Sequence, residues 1–260
     1  MTKQKLSVVL ATYNEEKNLS DCLKSVKSLA DEIIVVDGSS QDKTRQIAKK
    51  LGAQVFKVKN VPIFHKNKQI AIDKAKGKWI LQLDADERLS PQLRQEIKAV
   101  ISQKKPQSAG YYLPRKNWFL TKFLTKGGQY PDHVIRLFLN GKGKFPCKTV
   151  HEQITINGSV GYLTHDLVHL SDTSFARYLK RFNRYTSLDA ADLNRQKIKP
   201  GFCLAFQYIL IKPLVWFFST YFRHKGFVDG LPGFTFSLMS SLRFPVIYFK
   251  LWELTHASSS

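Results

Sequence analysis

The sequence predicts an α/β fold in which a mostly parallel sheet is followed by a second half of short strands and turns and then by a helical appendage. Three observations predict it. Short β-branched runs alternate with helical patterns through the first hundred residues. From Gly110 the pattern changes to segments rich in Gly, Pro and aromatic residues, and beyond Pro200 the chain becomes dense in Phe, Tyr and Trp.

In order, strands are read at 6–10, 32–36, 54–58 and 79–83. Between them, 16–29, 41–51 and 66–76 carry apolar residues at roughly helical spacing, with lysines on the other face. Right-handed crossovers place the strand C-termini on one edge. Residues 11–15, 37–40 and 84–87 are therefore expected to converge there, where open α/β sheets bind ligands. Further strands are read at 111–114, 134–139 and 152–156, joined by turns such as Asn140-Gly141 and Asn157-Gly158. Residues 173–194 read as an amphipathic helix, with Ser171, Asp172 or Thr173 as N-cap and Pro200-Gly201 as the break after it.

Residues 202–222 approach the roughly 20 apolar residues that span a bilayer, but Gln207, Lys212 and Pro213 interrupt them. Two interfacial or re-entrant helices, 202–222 and 234–254, joined by a turn over 223–232, fit this better than a span. The alternative is a buried helical hairpin. Phe, Tyr and Trp mixed with basic residues favour contact with a membrane surface. The expected organisation is one domain over 1–198, divided into halves at 1–110 and 111–198, with amphipathic or hydrophobic helices over 199–256.

The 260 residues are 43% hydrophobic and 12% aromatic, which excludes a disordered chain. The formal charge of +21 gives the surface a field that draws polyanions, whether nucleic acid, anionic lipid or phosphorylated small molecules. Cys22, Cys147 and Cys203 lie far apart with no C-x-x-C spacing, so neither a zinc knuckle nor a disulfide framework is indicated. No secretion signal is read behind Met1, and a cytoplasmic protein, peripheral or monotopic on the inner face of the membrane, is expected.

The strongest chemical signal is Asp84-Ala85-Asp86-Glu87 at the end of an apolar run. Carboxylates at i and i+2 on a strand end can bracket a hard divalent cation, Mg²⁺ or Mn²⁺, which neutralises a diphosphate leaving group. Alone, the tripeptide reads as a solvated turn capping a helix that begins near Ser90-Pro91. It is accompanied by Ala11-Thr12-Tyr13-Asn14-Glu15 closing the first strand and Asp37-Gly38-Ser39-Ser40 closing the second. Tyr13 can stack on a nucleobase, Asp37 can accept hydrogen bonds from the base edge or ribose, and Ser39 or Ser40 can cap the following helix. Asp42 reads as a carboxylate in a helix first turn.

These segments, together with Lys66-Asn67, resemble the family-2 glycosyltransferases, which have the GT-A (Rossmann-like nucleotide-diphospho-sugar transferase) fold. The resemblance implies Thr12, Tyr13, Glu15 and Asp37 at the nucleotide and Lys66 and Asn67 beside the donor. It also implies Asp84 and Asp86 at ribose and metal, with Ala85 between them in the donor site. Pro131-Asp132, Arg136-Leu137-Phe138, Val150-His151-Glu152, His169-Leu170-Ser171 and Lys225-Gly226-Phe227-Val228-Asp229-Gly230 resemble the branch of lipopolysaccharide-core β-glucosyltransferases, in which a His-Glu pair sits where other members carry their base.

An inverting transfer needs a base to deprotonate the acceptor hydroxyl, and Glu152 is the candidate, with an ordinary strand carboxylate as the alternative. His151 is read as orienting the acceptor or Glu152, or else as a structural histidine. His169 is read as a metal ligand beside Asp84 and Asp86, and His165 as structural. Arg136 is read as a contact to the diphosphate or an anionic acceptor, or else as half of a salt bridge.

The expected function is therefore metal-dependent inverting transfer of a sugar, glucose first, from a UDP-sugar to a lipid-linked or envelope-glycan acceptor at an anionic membrane surface. Polyprenyl-phosphate glycosyltransfer is the alternative within the class. A basic nucleic-acid-binding module or a non-catalytic nucleotide-sugar-binding protein is the alternative outside it. Nucleic acid is not expected as a partner, because the aromatics concentrate in apolar segments and no nucleic-acid motif appears.

Overall fold

The computed structural model describes residues 5–61, 63–147 and 152–257. The first half builds β1 (Leu6–Thr12), α1 (Leu19–Val26), β2 (Glu32–Asp37), α2 (Thr44–Lys50), β3 (Gln54–Lys57), α3 (His65–Asp73) and β4 (Trp79–Leu83). These strands pair in parallel in the order β3-β2-β1-β4, as three crossovers require. β1, β2 and β4 are apolar and buried almost throughout, which is how strands covered on both faces read.

Next come β5 (Glu87–Leu89), α4 (Pro91–Ser102), β6 (Gly110–Phe119), β7 (Lys122–Phe123) and β8 (Asp132–Leu139). β8 pairs antiparallel with β4, so the sheet changes sense there. β9 (Gly143–Lys144) and β10 (Thr155–Ile156) form a separate ribbon. β11 (Val160–Tyr162) pairs with β6, and β12 (Leu167–Asp172) pairs antiparallel with β5. The completed order is β3-β2-β1-β4-β8-β6-β12-β5. The expected α/β fold is what forms.

The helical remainder consists of α5 (Phe175–Arg195), α6 (Phe202–Ala205), α7 (Lys212–Phe218) and α8 (Gly230–Ala257). A π-helical turn at Phe206–Ile211 joins α6 to α7, and a second at Ser219–Arg223 extends α7, so that the three form one continuous helical stretch. A 3₁₀ turn at Gly226–Asp229 leads into α8.

Several expectations need correction. The run at 111–114 is the start of a ten-residue strand, and the run at 152–156 forms strand only at Thr155–Ile156, with Glu152 in irregular backbone before it. Ser171 and Asp172 stay in β12, so the N-cap of α5 passes to Ser174, whose hydroxyl accepts from the Arg177 N–H. α8 begins at Gly230, so the turn expected over 223–232 is shorter.

The chain divides into two compact units, one of residues 1–115 and 132–169 and the other of 116–131 and 170–260. The division places α5 in the same unit as the later helices, whereas the boundary at 198/199 was drawn from composition. In the first unit the sheet carries an apolar layer on each face. Leu19, Cys22, Leu23 and Val26 of α1 and Leu93 and Ile97 of α4 pack with Val8, Leu10 and Leu81. Ala71 and Ile72 of α3 pack with Val9, Ile34 and Ile80. Burying a side chain of this size contributes about 1.5–3 kcal/mol. Gly77 is fixed by close approach: a Cβ there would lie 2.6 Å from Ser7 Oγ, which accepts from the Gly77 N–H.

In the second unit, Phe119, Leu124 and Tyr178 form one apolar cluster, and Ala190, Ile247 and Leu251 form another between α5 and α8.

Candidate functional site

The loops after β1 and β2 are stapled together by side chains. The Asn14 N–H donates to Ser40 Oγ at 2.9 Å, and the Gln41 N–H returns a bond to Asn14 Oδ1 at 2.8 Å. The Glu15 N–H donates to Thr44 Oγ1 at 2.8 Å. Asp37 is fully buried at the centre of this join. Its oxygens accept from the Ser40 N–H at 2.9 Å, the Ser40 hydroxyl and Thr12 Oγ1 at 3.2 Å, and Arg45 Nε lies 3.7 Å away. Ser40 is thus spent on Asp37, Ser39 donates to the Val58 carbonyl, and neither caps α2. Asp42 stands just before α2 and accepts from the Thr44 N–H at 3.0 Å. Burial opposes its charge, but the bonds from Thr44 outweigh this and hold its carboxyl below the usual range.

Tyr13 is 44% exposed beside this join. The carboxylate of Glu15 accepts from Asn18 Nδ2 at 2.8 Å. On α3, Lys66 is exposed, whereas Asn67 is buried and donates to the Lys59 carbonyl at 3.2 Å.

At the end of β4, Ala85 is buried, and a tight turn closes between the Asp84 N–H and Glu87 Oε2 at 3.0 Å. Ser90, not the D-x-D tripeptide, caps α4 by accepting from the Leu93 N–H at 3.1 Å. The two aspartates have different surroundings. Asp84 is paired with Lys68 Nζ and lies 2.6 Å from Arg136 Nη2. The same Arg136 nitrogen donates to Glu87 Oε1 at 2.7 Å, and its other terminal nitrogen donates to Gln82 Oε1. Arg115 extends the network, reaching Glu87 at 3.4 Å and Asp132 at 2.7 Å.

Burial works against each of these charges, and the pairing overcomes it for two of them. Arg136 and Lys68 hold the Asp84 carboxyl well below its ordinary value, while Asp84 and Glu87 push the Arg136 guanidinium up. For Lys68 burial prevails over Asp84 and lowers its ammonium.

Asp86 faces a different partner. Its Oδ1 lies 3.6 Å from Nε2 of His169, which β12 brings in by pairing with β5. Burial lowers the His169 imidazole despite the neighbouring Asp86, so the ring is neutral at neutral pH. The metal set expected from Asp84, Asp86 and His169 is therefore not assembled as three ligands: Asp84 is committed to cations. Among the described residues no cluster of three or more His, Cys, Asp or Glu side chains is arranged around a metal position. Asp86 and His169 remain as a two-ligand pair of the right chemistry.

Arg136, read as a contact to diphosphate or acceptor, sits 6% exposed inside the carboxylate network. Glu152 is half-buried, and its charge and Lys66 both act on the Cys147 thiol, which burial and Glu152 raise. His151 lies outside the described residues. His165 pairs with Glu96 of α4 at 2.9 Å. Sequence reasoning missed Lys68, Gln82 and Arg115, and quoted Glu87 only as the end of the Asp84-Ala85-Asp86-Glu87 signal without giving it a role. The signal for Lys68 was its spacing from His65 and Ile72, which places all three on the buried side of α3.

Residues 7–150 match the family model of glycosyl transferase family 2. An uncharacterized glycosyltransferase of Rickettsia bellii (strain RML369-C) is 31% identical over 264 residues, spanning 97% of this chain and 87% of its own. The lipopolysaccharide core biosynthesis glycosyltransferase LpsC of Rhizobium meliloti (strain 1021) is 25% identical over 259 residues, spanning 93% and 92%. Among solved structures, S. aureus TarS 1–349 in complex with UDP-GlcNAc is similar with a TM-score of 0.50 at 15% identity, covering 98% of this chain and 92% of that one. That last likeness is one of fold. The family match covers more than half of the sequence, and the Rickettsia relative is similar along nearly all of it. The chain belongs to glycosyl transferase family 2 and has its GT-A fold.

Proposed function

We propose that the protein transfers glucose from UDP-glucose, with inversion, to a lipopolysaccharide-core or other envelope-glycan acceptor at the cytoplasmic face of a membrane. The observation that carries this reading is the approach of Asp86 to His169, 3.6 Å apart, at the strand edge where Tyr13 is exposed. A UDP-linked donor is in keeping with TarS, solved with UDP-GlcNAc, and a core-glycan acceptor with the name of LpsC.

Asp86 and His169, 3.6 Å apart, would hold a divalent cation: the carboxylate suits Mg²⁺ or Mn²⁺, and the imidazole beside it favours Mn²⁺. Such an ion, when bound, neutralises the charge that develops on the diphosphate leaving group. The remaining work falls to the chain. Tyr13 stacks on uracil, with Thr12 and Glu15 beside it. Asp37 fixes the loop by which they are presented. Lys66 meets the phosphates from the exposed side of α3, and Asn67 anchors that helix to the Lys59 carbonyl. Asp84, already neutralised by Lys68 and Arg136, holds the turn that carries Asp86. Glu152 takes the proton from the acceptor hydroxyl as the hydroxyl oxygen bonds to C1 and the C1–O bond to the diphosphate breaks on the opposite face, releasing UDP.

The membrane assignment is supported by the stretch Phe202–Arg223, whose 22 residues are long and apolar enough to cross a bilayer and whose most apolar window has no buried residue. A donor-hydrolysis screen with purified protein, manganese and a panel of nucleotide sugars tests the proposal. UDP-glucose should be the donor consumed. Consumption confined to non-uridine donors would overturn it.

A further inference from the structure

Between residues 193 and 252 the sequence holds eight Lys and Arg but a single acidic residue, Asp229. In the body of the helical hairpin the cations are occupied. Lys212 Nζ lies 3.6 Å from the centre of the Tyr208 ring, and the Arg243 guanidinium lies 4.3 Å from that of Trp216. Lys250 Nζ shares its three N–H groups among the Asn183 carbonyl, Asn183 Oδ1, Thr186 Oγ1 and Ser187 Oγ, which lie 2.6–2.8 Å away.

The turn at the end of the hairpin is built differently. Asp229, 2% exposed, is consumed internally: it accepts from the Thr125 N–H, Thr125 Oγ1 and the Lys126 N–H, each at 2.8 Å, with Lys122 Nζ 3.6 Å away. The Gly127 N–H donates to the His224 carbonyl at 2.8 Å. Lys225 adopts a left-handed conformation, φ 57°, and a Cβ at Gly226 would lie 2.8 Å from the Thr220 carbonyl oxygen. The Lys225-Gly226-Phe227-Val228-Asp229-Gly230 segment thus ties the turn to residues 125–127. Arg223, His224, Lys225 and Lys126 are left exposed, with no carboxylate partner among the described residues. Around them Phe222, Phe227, Val228 and Leu231 are also exposed, Leu231 by 75%.

We propose that this turn is the part of the protein that grips anionic lipid headgroups, with Arg223, Lys225 and Lys126 on lipid phosphates and Phe222, Phe227 and Leu231 entering the acyl boundary. The inference rests on the membrane-face reading above and names the residues and the lipid class that serve it. Charge selects the occupant. A second copy of the chain would bring the same uncompensated cations against these, whereas an anionic bilayer complements cations and apolar side chains together.

Each basic side chain near an anionic surface contributes about 1 kcal/mol, a factor of about five in partitioning, so losing two should weaken binding about 30-fold. The experiment is co-sedimentation with vesicles of phosphatidylcholine alone and of phosphatidylcholine with phosphatidylglycerol, at low and high salt. The variants are Arg223→Gln with Lys225→Asn, Asn being chosen because it tolerates the left-handed backbone, and Lys126→Gln. Lys212→Gln serves as the control in the hairpin body. Vesicle-free hydrolysis of UDP-sugar checks that each variant is folded.

Wild type should prefer the anionic vesicles and lose that preference in salt. The double variant should fall about 30-fold on anionic vesicles only, Lys126→Gln should fall about five-fold, and Lys212→Gln should match wild type. A double variant that binds anionic vesicles as wild type does would overturn the headgroup assignment while leaving membrane association standing. Wild type failing to bind either vesicle would overturn both. A dimer in vesicle-free buffer that the double variant stabilises would assign the turn to a second copy instead.

Discussion

Arg136 Nη2 reaches Asp84 Oδ2 across 2.6 Å, joining the first carboxylate of the D-x-D tripeptide to a strand that follows it by some fifty residues. The contact exists because β8 lies antiparallel against β4, and it separates the two aspartates by task. Asp84 is held in an internal ion network, and Asp86 is left to face His169.

The network should behave as a structural unit. Arg136→Met keeps the side-chain length but strands Asp84 and Glu87 without their shared guanidinium. Removing one partner of a buried pair costs about 3–5 kcal/mol, so the urea midpoint should fall accordingly. A midpoint equal to that of wild type would show the network to be inert.

Acid should erase that difference. The Asp84 carboxyl is held well below its ordinary value of 3.8 in the folded protein. A depressed carboxyl contributes stability that is complete above the unfolded value and is lost as pH falls through the folded one. The stability gap between wild type and Arg136→Met should therefore be widest near neutral pH and narrow progressively below 3.8. Urea unfolding of both proteins across that range measures it, and a gap that widens in acid would contradict the assignment.

Asp86→Ala should abolish transfer while leaving far-ultraviolet circular dichroism unchanged, since this carboxylate faces His169 rather than the buried network. Calorimetric titration of Mn²⁺ in the presence of UDP should show the heat of binding lost in the variant. Metal-dependent turnover at the wild-type rate would remove Asp86 from the site.

Glu152→Gln should lower kcat by about 10²–10⁴, the usual worth of a general base, with donor affinity scarcely moved. The residue lies in irregular backbone outside the loops that close β1, β2 and β4, where the donor contacts are proposed. Kinetics with saturating acceptor, together with UDP-sugar binding, separate the two effects. Weakened donor binding with an unchanged kcat would make Glu152 a donor-side residue.

The parallel half of the fold was legible because each strand is a short β-branched run followed by a helical pattern, and topology rules then dictate the shared edge. Tyr13, Asp37, Asp84 and Asp86 were placed on that edge by the same rules, and Thr12 was singled out by the family resemblance. What was hidden depends on pairing across long separations. Nothing local in Val134-Ile135-Arg136-Leu137 says that β8 inserts beside β4 and aims a guanidinium at Gln82, Asp84 and Glu87. Lys68 was overlooked for another reason: in a helix patterned with lysines, only its spacing from His65 and Ile72 sets it apart as the one on the buried side. The N-cap of α5 slipped to Ser174 because β12 continues through Asp172, an extension set by its pairing rather than by its own residues.

The order of β4, β8 and β6 also bears on synthesis. A ribosome delivers Asp84 and Glu87 well before Arg115 and Arg136, so an emerging chain of the first hundred residues would have to sequester two carboxylates with only Lys68 of this network to meet them. The nascent amino-terminal half is thereby penalised for closing early. Its final strand pairing waits for a distant segment, the kind of contact that folds slowly and exposes unpaired sheet edges meanwhile. Completion of the network at the end of β4 is in this way made conditional on translation having reached β8.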